Sequence, residues 1–371
     1  MAVTIYDIAK VVKTSHATVS RALNNHPAIS KDTKKNIDRV AKELGYRPNF
    51  SATSLKKGKT NKIALLLPDL IDPFFAEFLK DVEQSCLPRN YRVITIQSSL
   101  GASYEKSLDE MLEGLCDGAI VFSSSFKKLE DIATQFYQRK MPFIVIGIRS
   151  ESGVAKVDCI EENVAKGIEL AVDHLVELGH REIVFFDNTP SEHEDQSNRV
   201  EGLKTAFKKH GLELRPNNVF CFCANLNEEG VIGDKEVVNV KRSNVATNQI
   251  KDGLHGIKRL LQIYPQATAI IGTSDLLMLG VMRGLLEMGI RVPDDISLVG
   301  TDNCWLSGSL PVSLTSIDMK REFLAHTAVE WFFDQIEKQD WSKRKHAVVG
   351  SDLVIGESTA KKREKEFLDI K

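Results

Sequence analysis

The stretch Thr4–Asn24, TIYDIAKVVKTSHATVSRALN, decides the fold at the start of this chain of 371 residues. Thr4 followed three residues later by Asp7 is typical of the capping box that begins a helix. Ser15 is a second N-cap residue, so a second helix is expected after a turn of only a few residues. Both predicted helices carry an apolar stripe at helical spacing, formed by Ile5, Ile8, Ala9, Val12, Val19, Ala22 and Leu23.

A third helix is predicted in the sequence KDTKKNIDRVAKELGY, residues 31–46. Ser30 is its N-cap and Gly45 its stop. Its apolar face consists of Ile37, Val40, Ala41 and Leu44. Three short helices with a tight first turn predict an all-α helix-turn-helix unit, in which the second helix enters the major groove of DNA.

The second helix carries side chains suited to DNA. The residues expected to be exposed near its N-terminus are His16, Ala17, Ser20 and Arg21. Arg21 can donate two hydrogen bonds to O6 and N7 of a guanine. Thr18, Ser20 and Asn24 are suited to phosphate oxygens. A generic three-helix bundle is the plain alternative, but it would not explain the charge of this region.

Charge is unevenly distributed along the chain. Residues 1–60 contain 12 Lys/Arg and 4 Asp/Glu, whereas the remainder contains 37 and 47. A basic head on an acidic body indicates a polyanionic partner for the head. The alternative is a solvated, charge-rich helical face.

The pattern IYDIAK…TVSRALNN…IS…T…I..VA.ELGYRPN, in the first 58 residues, resembles the DNA-binding head of the lactose-repressor (LacI/GalR) family of bacterial transcription regulators. The resemblance implies further DNA contacts from Thr4, Ser15 and Tyr46. Lys13 stands where the family usually has glycine in the turn between the helices, a site that often takes a positive φ.

Residues 49–61 resemble the hinge helix and linker of that family. Pro48 breaks the third helix, and a helix ending at Gly58 is too short to be stable in water by itself. The resemblance implies that the segment orders on operator DNA, pairs with its dimer mate and inserts Leu55 between base steps in the minor groove. The further hinge contacts implied are Asn49, Ala52 and Lys56. In the free protein we expect a flexible linker.

From Lys62 onward, short apolar runs alternate with amphipathic helical stretches. The runs are IALLLP, RVITIQ, GAIVFS, FIVIGI, EIVFFD, AIIGTS and SLVG. This alternation predicts parallel sheets covered on both faces, that is, an α/β core. No GxGxxG or Walker motif follows a strand, and no nucleophile elbow, metal cluster or His-centred triad is recognisable. We therefore expect neither an enzyme nor a cofactor or metal.

This second part resembles the periplasmic-binding-protein-like core of the same family, two Rossmann-like lobes with a ligand cleft between them. The resemblance extends to about residue 358 and implies three joints between the lobes, near Gly179–His180, near Thr315–Ile317 and near 345–347. The expected domains are a head at 1–48, a hinge and linker at 49–61, a core at 62–360 (N-lobe about 62–178 and 319–345, C-lobe about 180–316 and 347–360) and a charged tail at 361–371.

Ligands of such folds sit beyond the carboxyl ends of the strands. By resemblance, Arg199 would bind hydroxyls or a carboxylate, and Asp302 would accept hydroxyl hydrogen bonds. Asp275 would lie at the cleft rim, or else cap a helix. The aromatic candidates for stacking on a sugar or base are Phe74, Phe75 and Trp305, with core packing as the alternative for Phe74.

Several positions depart from the family pattern, so the effector is not named. Ser274 stands where the family often has Asn, and Asn163 and Val164 replace its usual Asp-Asn pair. Residues 226–250 read as a polar insertion, which is either a flap over the cleft or, as we expect, a surface loop.

Cysteine usage and hydropathy indicate a reduced, cytoplasmic setting. The six cysteines, at positions 86, 116, 159, 221, 223 and 304, lack the paired spacing of a zinc site. No apolar run reaches the roughly 18 residues of a membrane span, and no signal peptide precedes Thr4. The tail lacks leucine heptads, so tetramerisation through it is not expected.

The combined interpretation is a homodimeric, sequence-specific transcription regulator, expected to be a repressor. A small metabolite, most simply a sugar or sugar derivative, would bind in the cleft and control DNA affinity. One alternative is a catabolite-control regulator that uses a phosphocarrier protein as its co-effector. A solute-binding or sugar-processing protein is a rival interpretation, and the basic head and missing catalytic constellation argue against it. A nonspecific nucleoid protein is a third interpretation.

Overall fold

The computed structural model describes residues 3–47, 58–97, 107–123, 129–147, 156–188, 194–222 and 245–363. The chain forms two compact units, 1–60 and 61–371. The predicted hinge contacts Asn49, Ala52, Leu55 and Lys56 lie outside the described residues.

The first unit consists of three helices, α1 (Ile5–Val12), α2 (His16–Leu23) and α3 (Lys31–Glu43). They pack around a small core that includes Ile8, Val19 and Ile37, none of which is exposed to solvent. Ser30 caps α3 through its hydroxyl, which accepts from the amide of Thr33 at 3.2 Å. Lys13 has φ 55° and ψ 47°, so the turn takes the left-handed conformation in which glycine is usual.

The second unit contains two six-stranded sheets. The first sheet has the order β11-β5-β4-β3-β1-β2, and all of its strands are parallel. Its strands are β1 (Lys62–Leu67), β2 (Arg92–Gln97), β3 (Ala119–Ser123), β4 (Phe143–Gly147), β5 (Asp158–Glu162) and β11 (His346–Val349). Helices α4 (Pro73–Cys86) and α10 (Arg321–Lys338) cover one face, and α5 (Leu129–Gln138) covers the other.

The second sheet has the order β12-β10-β9-β8-β6-β7, in which only β12 is antiparallel to its neighbour. Its strands are β6 (Ile183–Asp187), β7 (Val219–Cys221), β8 (Ala269–Gly272), β9 (Ser297–Thr301), β10 (Thr315–Asp318) and β12 (Asp352–Val354). Helices α6 (Val164–Glu177) and α7 (Glu194–Lys209) cover one face, and α8 (Val245–Ile263) and α9 (Asp275–Glu287) cover the other. The fold predicted from the sequence, a helical head followed along the chain by a two-lobed α/β core, is confirmed.

The first joint between the lobes differs from the expected one. The chain leaves the first sheet after Glu162, not near Gly179–His180, because α6 packs on the second sheet. Its residues Val164 and Ile168 are buried in the same core as Phe185. The N-lobe therefore ends about sixteen residues before the expected 178. The other two joints lie at 318–321 and 349–352, a few residues beyond those expected.

The expected insertion at 226–250 is only partly described. Residues 223–244 lie outside the described part, and residues 245–250 are not a surface loop, because they form the first turns of α8. Gln249 in this stretch is buried. No helix in the described ranges is long and apolar enough to cross a membrane.

Candidate nucleic-acid interface and ligand cleft

The start of α2 is held by two hydroxyl groups. Ser15 Oγ accepts from the amide of Thr18 at 3.1 Å, as the predicted N-cap should, and it lies 2.9 Å from Thr18 Oγ1. Both hydroxyls are thus engaged at the N-terminus of the helix. The helix N-terminus carries partial positive charge, which favours a phosphate at this point.

Arg21, His16 and Ala17 are the exposed residues of α2 that face away from the core. Among the described residues, none forms a hydrogen bond or ion pair with the Arg21 guanidinium, so its five donors are available to a base edge. The His16 ring lies 5.0 Å from the Tyr6 ring, and this contact fixes one side of the surface. This surface, formed by His16, Ala17 and Arg21, is called the recognition surface below.

Other predicted contacts of the head have structural partners. Asn24 donates its amide to the carbonyl of Ser20 at 2.8 Å, which caps the end of α2, and Ser20 itself is half-buried. Tyr46 is half-buried against the core of the head. Thr4 donates its amide and its hydroxyl to Asp7 Oδ2, at 2.9 and 2.7 Å. These two bonds lower the pKa of Asp7, since they stabilise its carboxylate.

In the second unit, the predicted ligand contacts follow the carboxyl ends of neighbouring strands. Asp302 comes directly after β9, and Ser274 follows β8. Asp302 has φ 108°, and its amide donates to the carbonyl of Ile317 at 2.9 Å. This strained position, uncommon for a residue other than glycine, turns the chain away from the strand, and the residue as a whole is half-buried.

The electrostatic environment of Asp302 includes Arg199. The pKa of Asp302 is raised well above its usual range, first because the group is removed from water and then because Asp275 and Asp72 are negative. The positive charge of Arg199 opposes these effects and lowers the pKa of Asp302. The two residues chosen from the sequence are therefore close enough to interact electrostatically.

Asp275 lies beneath the cleft rather than at its rim, and it is not the helix cap. Ser274 caps α9, since its Oγ accepts from the amide of Leu277 at 3.1 Å. Asp275 is 1% exposed and accepts three hydrogen bonds from the described residues, namely from the amide of Cys304 (3.1 Å), Ser307 Oγ (2.5 Å) and Ser316 Oγ (2.6 Å). Burial raises its pKa to about 6. Both roles predicted for Asp275 are therefore wrong, and the residue holds the loop that follows Asp302.

The aromatic candidates divide into buried and exposed side chains. Phe74 is 4% exposed and packs in the core of the second lobe, so for Phe74 the core-packing alternative holds. Phe75 is half-buried, and its ring centroid lies 5.1 Å from that of Phe122 at the end of β3. Trp305 is 60% exposed, and its amide donates to Glu77 Oε2 at 3.3 Å.

Asp72 and Gln249 were missed by the sequence reasoning. Asp72 caps α4 by accepting from the amide of Phe74 at 3.0 Å, and it also accepts from Gln249 Nε2 at 3.1 Å. Burial raises the pKa of Asp72 to about 6, against the effect of these two bonds. The Asp72-Pro73 pair is a signal for a helix start that could have been used. Gln249 carries no such signal, because it stands in a polar stretch far away in sequence.

A second buried polar group lies at the carboxyl ends of β6 and β8, where Asn188 donates to Asp252 Oδ2 at 3.1 Å and accepts from Thr273 Oγ1 at 2.9 Å. No group of three or more His, Cys, Asp or Glu residues that could hold a metal ion occurs in the described ranges. The described cysteines, at 86, 116, 159, 221 and 304, are not paired in disulfides.

A helix-turn-helix head joined to a two-lobed α/β core defines a class of DNA-binding regulators. Residues 4–49 match the family "Bacterial regulatory proteins, lacI family". Residues 60–228 match "Periplasmic binding proteins and sugar binding domain of LacI family", and residues 172–359 match the "Periplasmic binding protein-like domain". The chain belongs to the LacI family of bacterial transcription regulators.

Individual relatives agree with this assignment. The NTD biosynthesis operon regulator NtdR of Bacillus subtilis (strain 168) is 28% identical over 356 residues, covering 96% of this chain and 99% of that protein. Catabolite control protein A of Priestia megaterium is 29% identical over 319 residues, covering 85% and 87%. The Lac repressor dimer bound to operator and an anti-inducer has the same fold, with a TM-score of 0.79 at 20% identity over 97% and 100% of the two chains. Such relatives are transcription regulators, not enzymes.

Proposed function

We propose that this regulator is a homodimeric repressor that binds a near-palindromic operator. A small metabolite would weaken or strengthen its affinity for that operator. The observation that carries the proposal is the recognition surface, where Arg21 is exposed without a partner among the described residues. An arginine at this place in a helix-turn-helix can read a guanine in the major groove. Two such heads would read two half-sites about one DNA turn apart.

The proposed effector is a sugar or sugar derivative of the cytoplasm, bound between the lobes. Arg199 would donate charge-assisted hydrogen bonds to hydroxyls, and the carboxyl group of Asp302 would form further hydrogen bonds with them. The half-buried Phe75 ring would contact the apolar face of a sugar. Ser274 and Phe74 drop out as direct contacts in the arrangement described here, because Ser274 caps α9 and Phe74 lies in the core. Trp305 remains a contact at the cleft edge, since most of its side chain is exposed.

One experiment tests first the proposed operator recognition and then the proposed response to a metabolite. The full-length protein selects bound DNA from a random pool, and the enriched sequence should be a near-palindrome. Sugars and sugar phosphates are then titrated against the complex with that DNA, and at least one should change its dissociation constant. If no palindrome is enriched, the proposed operator recognition is wrong, and a nonspecific nucleoid protein or a solute-binding protein becomes the better description.

If a palindrome is enriched but no metabolite changes its affinity, a phosphocarrier protein is added in place of the sugar. A change in affinity with that protein would favour the catabolite-control mode of regulation over the sugar-controlled one.

A further inference from the structure

The first two turns of α4 carry contacts between the lobes. The helix belongs to the first lobe, because Phe78 and Val82 are buried in that core. Nevertheless Phe74 packs in the core of the second lobe, and Glu77 accepts from the amide of Trp305. A movement of one lobe relative to the other would therefore change the contacts at the start of this helix.

A chain of three buried polar side chains crosses between the lobes at this point. Ser274 Oγ donates to Gln249 Oε1, and Gln249 Nε2 donates to Asp72 Oδ2 at 3.1 Å. The relative exposures of Asp72, Gln249 and Ser274 are 6%, 9% and 7%. A carboxylate can only accept, so the carboxylate form of Asp72 orients the Gln249 amide with its NH₂ toward the first lobe. Each of the three side chains would lose a hydrogen-bond partner if both bonds were broken without water entering.

Two of these three residues, Gln249 and Ser274, lie on helices that pack as one rigid body. Helices α8 and α9 approach so closely that a Cβ atom at Gly253 would collide with the carbonyl oxygen of Leu277, and one at Gly280 with that of Ile250. Helices packed through glycines at this separation have no room to slide past each other. Gln249 at the start of α8 and Ser274 at the start of α9 therefore keep their spacing. The bond that can open is the one between Gln249 and Asp72.

We propose that Asp72, Gln249 and Ser274 form an inter-lobe clasp, in which Gln249 is a positioning residue that holds the two lobes in the arrangement described here. A ligand that opens or tightens the cleft would change the free energy of this bond. The regulatory consequence rests on the proposed function, since it assumes that lobe movement alters DNA affinity. The clasp itself is a property of the free protein and is tested without DNA or ligand.

Hydrogen exchange measured by NMR or mass spectrometry on the full chain tests the clasp. The amides of Phe74 and Ala76 both donate to Asp72, so they report on the start of α4. In Gln249→Ala they should exchange about tenfold faster or more, as expected for losing a hydrogen bond to a charged group, whereas the last turn of α4 should be unchanged. Lys251→Ala, two residues further along α8 and exposed, is the matched control and should leave all these rates unchanged.

Gln249→Glu supplies a signature that a space-filling role would not produce. The new carboxylate would face Asp72, and the charged groups nearby are Asp69 on the same loop, Asp302 from the second lobe, and Arg199 beside Asp302. Two ionised carboxylates at this distance repel each other in a buried site, so the clasp should open when both are ionised at high pH and re-form as the pH falls and they come to share a proton. Exchange at Phe74, corrected for the intrinsic rate, should follow that change.

Unchanged exchange at Phe74 and Ala76 in Gln249→Ala would overturn the clasp, as would pH-independent exchange in a folded Gln249→Glu. If Gln249→Glu does not fold, which circular dichroism would show, Gln249→Ala decides the result by itself. A failed operator selection would count against the proposed function only, because these measurements contain no DNA.

Discussion

Ser316 Oγ donates to Asp275 Oδ1 across 2.6 Å, and this bond ties strand β10 to the start of helix α9 underneath the cleft. The second carboxylate oxygen accepts from Ser307 Oγ and from the amide of Cys304. One buried side chain thus fixes both β10 and the loop that carries Trp305. No side chain can be added to Gly300 on the adjacent strand, because its Cβ would collide with Asp275 Oδ1.

Asp275→Ala should therefore act on stability rather than on ligand recognition. The substitution leaves three donors without their acceptor, and we expect a loss of about 3 kcal/mol in the free energy of unfolding. Urea unfolding at pH 7, followed by fluorescence, measures it. Asp302→Asn is the control, because its burial beside other carboxyl groups already raises its pKa, so removing this charge should cost nothing or stabilise the fold. Equal losses in both variants would contradict the assignment.

A buried histidine links the stability of the second lobe to pH. His180 is 3% exposed, and its ring nitrogens lie 3.0 Å from Thr268 Oγ1 and 3.0 Å from the carbonyl of Ala360. Burial lowers the pKa of His180, so the unfolded chain takes up this proton at a higher pH than the folded protein does. Stability should accordingly fall as pH drops through about 6.5, with a slope of at most ~1.4 kcal/mol per pH unit for one group. The fall ends once the folded protein is also protonated.

Unfolding free energies at closely spaced pH values between 5 and 8 measure this slope. His180→Gln should be less stable at pH 8 but should depend less on pH than the unchanged protein. His26→Gln, at an exposed position in the head, controls for the loss of an imidazole. If His180→Gln keeps the full slope, another group causes it, and His174 becomes the next to test, because burial also lowers its pKa.

Arg21→Ala should weaken operator binding by roughly 1–3 kcal/mol and relax the preference at one base pair in each half-site. The reason is that a guanidinium donating two bonds to guanine discriminates among bases, whereas a phosphate contact does not. Dissociation constants on the selected operator and on its single-base variants measure this. Arg21→Lys is the matched control, since it keeps the charge but loses the planar fork. A uniform loss on every DNA sequence would make Arg21 a phosphate contact.

The sequence was sufficient for features that depend on near neighbours. The caps Ser15 and Ser30 and the seven apolar runs all appear where they were predicted, because each depends on residues within one turn or one strand. The side of a helix that is apolar does not say which sheet it covers, so α6 was assigned to the wrong lobe. The Gln249–Asp72 bond joins residues 177 positions apart, and no local sequence pattern predicts such a pair.

Arg199→Ala should leave operator affinity nearly unchanged while removing the response to the ligand found by titration. Allosteric control is a coupling free energy, so a ligand that no longer distinguishes two lobe arrangements cannot shift DNA binding, however the head is built. Arg199 interacts with Asp302 inside the cleft, whereas Arg181 donates to the carbonyls of Val176 and His180 outside it. Arg181→Ala is therefore the matched loss of an arginine from the same lobe. Operator dissociation constants with and without ligand decide between them: a normal response in Arg199→Ala, or an equal loss in Arg181→Ala, would place the ligand elsewhere.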